Sequence, residues 1–412
     1  MIDISDIKAL DAADPQRNFR QEFALPDDLV YLDGNSLGAL PRLAQQRVAD
    51  AIANQWGQDL VKSWNMHHWI DLSQSVGEKI AALIGAGIGQ VICCDSISVN
   101  LFKLIAAGLG LQPGRRIILS TRDNFPTDIY IAQGIEKLLS SDRCELKLVE
   151  ESEIINQIDP SVALLLVSHV NFRTGEILDM RKITASAHQQ GALAIWDLAH
   201  SAGALPVELD SCQVDFAVGC GYKYLNGGPG APAFLYAAKR HQEQIRQPIS
   251  GWMGHSDPFA FSTRYTAAPG IHQFLSGTPP ILSLVSLDAA LDVFANTSMA
   301  QLRKKSLQLS GLYMDLLRQY SLLGEFTLLA SEEDDRRGSQ VAITHPQAYA
   351  ICQVLIDRGI VMDFREPDIL RAGFAPMYNS YIDIWRAVNA IQKIMKNEEH
   401  LDPRWQARNK VT

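Results

Sequence analysis

Five short apolar and β-branched runs constrain the fold of this chain more than any other feature: RRIILS (115–120), CELKLV (144–149), VALLLVS (162–168), ALAIWD (192–197) and DFAVGC (215–220). Segments of helical periodicity separate them. Strands that are apolar throughout are covered on both faces, and a mostly parallel sheet between two helical layers supplies that cover. The pattern predicts an α/β fold with a doubly wound, mostly parallel sheet. Helical spacing also predicts framework helices over about 41–61 and 72–84, a long helix-compatible segment over 281–321 and a closing amphipathic helix over about 380–396. A charged turn, SEEDDRRGS (331–339), and short strands near 340–344 and 360–364 complete the later part. The expected organisation is an N-terminal arm (1–40), a large α/β domain (41–285) and a smaller C-terminal α+β domain (286–412).

Composition narrows the function. With 412 residues, 47% of them hydrophobic, the chain can bury a large core, and a net charge of −9 offers no basic face for nucleic acid. The six cysteines stand without a CxxC pair or a zinc-type histidine spacing, which disfavours a metal site and a disulfide framework. A reducing compartment, the cytoplasm, is expected. The N-terminal stretch is acidic, and no apolar run approaches the roughly 20 residues needed to cross a bilayer.

Two glycine clusters, GAGIG (85–89) and GLGLQPG (108–114), follow helical segments, so they read as helix ends in place of a dinucleotide-binding loop. The stretch AIWDLAHSAGALPVELDSCQVDFAVGCGYKYLNGGPG (194–230) carries more. Asp197 closes one predicted strand, at the carboxyl edge where open α/β sheets hold ligands. Lys223 follows the next strand and precedes a glycine-rich turn. A lysine and a carboxylate on successive strand ends suit pyridoxal 5′-phosphate (PLP), which needs an amine for its imine and an acid at its pyridine nitrogen. By spacing alone, Asp197 as a helix N-cap and Lys223 as a surface lysine fit equally well.

The segments YLDGNSLGALP (31–41), SISVNLFKL (96–104), NFPTDIYI (124–131), SHVNFRTGEILDM (168–180), WDLAHSAGALPVEL (196–209), GYKYLNGGPG (221–230), GWMGHSDPFAF (251–261), FLSGTPPILSL (274–284) and DILRAGFAPMYNSYIDIW (368–385) together resemble the kynureninase family, in the family's order and over nearly the whole chain. The resemblance implies a PLP enzyme of fold type I, close to class V aminotransferases. It also implies hydrolysis of L-kynurenine, or its 3-hydroxy form, to anthranilate, or the 3-hydroxy product, and L-alanine, within tryptophan catabolism and the supply of NAD precursors.

Carried over residue by residue, Lys223 is the lysine that forms the cofactor imine, and Tyr222 reaches the phosphate and donates a proton. Asp197 holds the pyridine nitrogen, with His200 beside it. Ile97 and Ser98 match the phosphate-binding pair, with Ser98 opening a helix. Phe125 stacks on the ring, although read alone it is a core residue, and Asp128 and Ser168 match further cofactor contacts. Trp252 and Thr278 would reach over from a partner subunit, which implies a homodimer; Thr278 replaces an asparagine of animal members. Arg371 matches the grip on the substrate α-carboxylate, as a guanidinium fork suits a carboxylate. Asn35, Ser36, Trp64, His67 and His68 fall in segments lining the aromatic end of the substrate, with individual roles open. The alternative on the same fold is a cysteine desulfurase or class V aminotransferase. A desulfurase needs a mobile nucleophilic thiol late in the chain, where only Cys352 stands, inside a helical run.

Overall fold

The computed structural model describes residues 2–408. All five expected strands form, and with two more they build a seven-stranded sheet. In chain order these are β1 (Val91–Cys93), β2 (Ile117–Thr121), β3 (Glu145–Val149), β4 (Val162–Ser168), β5 (Leu193–Asp197), β6 (Phe216–Cys220) and β7 (Ala233–Ala237). Their spatial order is β1-β7-β6-β5-β4-β2-β3. Neighbours pair in parallel from β6 to β3, while β7 runs antiparallel to both β1 and β6. Burial explains the unbroken apolar runs: β5, β6 and β7 are buried at every residue. Strands β1 and β7 escape sequence detection because one has three residues and the other follows Gly230-Ala231-Pro232 directly.

Helices cover both faces of this sheet. They include α2 (Arg42–Asp50), α3 (Leu72–Leu83), α4 (Ile97–Leu111), α5 (Pro126–Leu139) and α6 (Met180–Gln189), after an N-terminal α1 (Ile4–Ala13). Helix α3 stops where expected, with Gly85 at φ +63° just beyond its cap. The second glycine cluster behaves otherwise. Helix α4 runs through Gly108 and Gly110 to Leu111, and Gly108 is needed for contact, since a Cβ there would lie 2.6 Å from Leu164 Cδ2.

The expected segment 281–321 is two helices, α7 (Ile281–Asp292) and α8 (Met299–Gln319), bent by 86°. Thr297 is extended and Ser298 caps α8 with a reciprocal Ser298–Gln301 box, so a new helix starts there. Helix α7 packs whole against α2 and α3, so a boundary at 285/286 would cut a helix that belongs with the large sheet. No single helix is long and apolar enough to cross a membrane among the described residues.

A second sheet holds β8 (Thr327–Leu328), β9 (Gln340–Thr344), β10 (Asp363–Arg365) and β11 (Ile369–Gly373) in the order β10-β11-β9-β8, all antiparallel. Helices α8, α9 (Ala348–Asp357) and α10 (Tyr381–Lys396) enclose its core. Ser380 caps α10 through a box with Asp383. The N-terminal arm is part of this layer: α1 packs on α10, and Val30–Tyr31 pair in parallel with Ile360–Val361.

The arm then passes under the large sheet's carboxyl edge. The Gly38 amide donates to the Tyr222 carbonyl at 2.8 Å, and a Cβ at Gly38 would lie 2.3 Å from the Lys223 carbonyl oxygen and 2.4 Å from Asn226 Oδ1. Gly38→Ala should therefore cost about 1–3 kcal/mol of stability through overpacking. A thermal melt checks this, and an unchanged Tm would contradict the close approach.

Candidate functional site

Residues from five strand ends converge at the carboxyl edge of the large sheet around a cavity of about 340 Å³. Its walls include Ile97, Ser98, Phe125, Ser168, Asp197, His200, Tyr222 and Lys223, all expected from sequence. Lys223 lies three residues past β6 and is only 8% exposed, which removes the reading as a surface lysine. Its Nζ sits 2.8 Å from His200 Nε2 and 5.7 Å from the centre of the Phe125 ring. Burial lowers the lysine pKa, with the Asp197 and Cys220 side chains opposing and Arg371 and Arg365 assisting. Burial, joined by the charge on Lys223, pushes the His200 pKa well below its usual value, so the imidazole is neutral beside the amine.

Asp197 ends β5 and is 4% exposed. No helix follows it, so it is not an N-cap; one oxygen accepts from the Ala199 amide at 2.7 Å inside a series of turns. Burial raises its pKa and Lys223 holds it down. Asp128, fully buried in the first turn of α5, has neither carboxyl oxygen hydrogen-bonded. Burial and the neighbouring charge of Asp197 raise its pKa well above the ordinary value. Phe125 is the residue before α5 and meets Phe172 edge-on at 5.1 Å. Ser168 donates to Asn124 Oδ1 at 2.6 Å, and that oxygen also accepts from the Phe125 amide.

One local expectation changes. Ser96, not Ser98, caps α4, accepting from the Val99 amide at 3.4 Å, and Ser98 occupies the first turn. The free amides at this helix start still face the cavity, with Asp95 and Ser96 in its lining. Sequence reading missed Thr127 and Cys220, which also line it.

Several expected residues do not line this cavity. Trp64 packs edge-on against Trp69 at 6.0 Å, His67 pairs with Asp59 at 2.9 Å, and His68 is exposed at φ +54°. Trp252 (41% exposed) and Thr278 both stand at the surface.

Arg371 is buried in β11 and its fork is already engaged. Opposite it in register on β10 lies Asp363, which accepts from Nε at 2.8 Å and also from Nη2. Nη1 donates to the Phe172 carbonyl, at the cavity wall. Asp363 also accepts from Ser36 at 2.6 Å and pairs with Arg365 at 2.8 Å. Burial alone would raise the Asp363 pKa, but the Arg371 hydrogen bond and both guanidinium charges hold it below the usual range. Asn35 is buried beside them, its Oδ1 unpaired and 1.9 Å from where a Cβ at Gly373 would stand. Asp363 and Arg365 carried no signal in the sequence, because only the β10–β11 register sets Asp363 against Arg371.

The donor set fits PLP. The cavity has one buried amine, a carboxylate on the adjacent strand end, an aromatic face and a helix N-terminus. His200 Nδ1 and both Asp128 oxygens are left without partners, as expected of groups that await one.

Comparison with known proteins agrees. The family model for the kynureninase C-terminal domain matches residues 302–391. A kynureninase from Pseudomonas fluorescens is 46% identical over 413 residues, covering 99% of both chains. This chain belongs to the kynureninase family. A Burkholderia pseudomallei (strain 1106a) kynureninase is 46% identical over 98% of each chain. In fold, the chain resembles the Escherichia coli cysteine desulfurase CsdA, with a TM-score of 0.76 at 20% identity, over 93% of this chain and 98% of that one. A C-DES variant solved with glycine covalently linked to its PLP cofactor gives 0.77 at 19% identity, over 90% and 98%.

Asp363→Asn should leave the buried Arg371 guanidinium, and the half-buried Arg365 beside it, short of a counter-charge and cost about 3–5 kcal/mol at neutral pH. Because the Asp363 pKa is lowered by folding, its contribution holds above the unfolded carboxyl value and fades as pH falls through the folded one. Urea unfolding of both proteins across this range checks the sign, since the gap between them should narrow in acid.

Proposed function

We propose that the cavity beside Lys223 is where this chain binds PLP and cleaves kynurenine, with the residue roles given below. Family membership over nearly the full length carries the activity: the chain is a PLP-dependent hydrolase that converts L-kynurenine, or its 3-hydroxy form, to anthranilate, or the hydroxylated product, and L-alanine. The substrate is a small molecule.

Lys223 carries the cofactor and then moves the proton at the substrate α-carbon. Its lowered pKa supports this role, since an amine must shed its proton to act as nucleophile or base. His200, neutral and 2.8 Å away, orients the amine. Asp197 holds a proton on the pyridine nitrogen, and its burial supports the role by keeping water from competing. When bound, PLP supplies an electron sink for the carbon that loses its proton. Phe125 covers the ring face, while Ile97 and Ser98 offer the start of α4 to the phosphate. Asp128 and Ser168 complete the cofactor's polar surroundings. Tyr222 stays protonated because burial raises its pKa, so its hydroxyl can donate. Arg371 receives the α-carboxylate, with Ser36 and Asn35 beside it. In the free protein Asp363 fills the fork, so the substrate meets a guanidinium already held in place.

A homodimer completes the site. Trp252, Phe259 and Phe261 are 41%, 61% and 79% exposed, and Trp56 and Val61 are 56% and 77% exposed, an unusual amount of large apolar surface that a second copy would cover. Trp252 and Thr278 then act across that interface, and Trp64 belongs to the aromatic end of the substrate site. Six unpaired thiols fit a cytoplasmic protein. Two domains are proposed, an α/β unit through α7 and a smaller C-terminal unit joined by the 1–40 arm. The desulfurase alternative is disfavoured because Cys352 is buried and its thiol bonds the Met362 carbonyl at 3.3 Å.

Purified holoenzyme given L-kynurenine should release anthranilate, read by fluorescence, together with L-alanine. Lys223→Ala should lose both turnover and borohydride-fixable cofactor; full turnover without added amine would remove Lys223 from its role. Arg371→Lys keeps the charge but not the planar fork, so kcat/KM should fall strongly while PLP occupancy persists. Unchanged kcat/KM would take Arg371 out of the substrate site.

A further inference from the structure

Beside Arg371 lies a carboxyl group that the mechanism does not use. Asp33, from the arm, forms a parallel bridge with Gly373, two residues past Arg371 on β11. Its Oδ1 is shielded from solvent without a hydrogen-bond partner, while Ser36 favours the charged form of the carboxyl. Asp363 has taken the cations: it binds both arginines and Ser36, leaving Asp33 no guanidinium of its own. The other titratable groups that face Asp33 are Tyr31 on the arm, Tyr224 after β6, Cys352 on α9 and Tyr378 before α10. Burial raises the pKa of each of the four, so all are neutral near pH 7.

The charge balance of the cluster therefore turns on one proton. With Asp33 ionised, two guanidinium groups face two carboxylates and nothing is left for an incoming anion. With Asp33 protonated, one positive charge is in excess, matching a single substrate carboxylate. The cluster adjoins the cavity wall, because Arg371 is bonded to the Phe172 carbonyl and the arm is bonded through Gly38 to Tyr222.

Resting on the assignment of Arg371 to the substrate α-carboxylate, we propose that Asp33 is a proton-linked specificity residue: the carboxylate binds together with one proton, which Asp33 holds. Burial, then repulsion from Asp363, pushes the Asp33 pKa up to about 7, so the coupling falls in the neutral range. A bound carboxylate raises it further. Affinity is then constant below about pH 7 and falls by about tenfold per pH unit above it, the slope of one linked proton.

The probe is the desamino analogue of kynurenine, which keeps the carboxylate and the aryl ketone but has no amine to titrate or to react at Lys223. Its Kd for the holoenzyme is measured by calorimetry between pH 6 and 8.5, for the wild type and Asp33→Asn. The expected result is a Kd that rises above pH 7 in the wild type and stays near its low-pH value throughout in the variant. A wild-type Kd that does not change with pH overturns the proposal without any variant. So does a rise that persists in Asp33→Asn, because another group then titrates. Asp33→Ser takes its place should the amide not fold. Release of anthranilate from kynurenine by the wild type tests the reading of the site separately: if turnover stands and the pH dependence is absent, only the role of Asp33 falls.

Discussion

Burial of one amine organises this molecule. A lysine 8% exposed at the end of an apolar strand costs stability unless neighbours share the burden. Here the chain lowers the lysine pKa, sets a neutral imidazole at 2.8 Å and keeps a carboxylate on the adjacent strand end. Each requirement demands a different element. Strands β5 and β6 must lie side by side, the turn after Asp197 must bring His200 back over the sheet, and the arm must press in closely enough that only glycine fits at position 38.

The second layer depends on the first through charge. Strands β10 and β11 pair so that Asp363 and Arg371 are direct neighbours, and Arg371 reaches the cavity wall through its bond to the Phe172 carbonyl. A buried ion pair of this kind contributes little net stability against an apolar equivalent, but it holds a guanidinium in one orientation. The arm links the two layers: Ser36 bonds Asp363, and Gly38 bonds Tyr222 two residues later in the chain.

Much of this was legible in the sequence for a physical reason. Strand burial leaves a local trace, so β2 to β6 were readable from apolar runs, and Asp197 and Lys223 could be placed at strand ends. Helix caps are also local, and Ser380 marked the start of α10. Where local signals were weak the reading slipped. The three-residue β1 carries too little pattern, the break between α7 and α8 hides among helix formers, and Ser96 and Ser98 compete as caps within one turn.

What the sequence by itself determined was the sheet, its carboxyl edge and, through family resemblance, part of the set that meets there, Lys223, Asp197 and His200 among them. Only the tertiary structure decided their electrostatic states. The fork of Arg371 turned out to be filled by Asp363, a partner set by strand register, and Asp33 was left without a cation by residues more than 300 positions away in the chain. Register and long-range charge balance have no local signature, because they depend on which strands lie side by side and on how far water is excluded from between them.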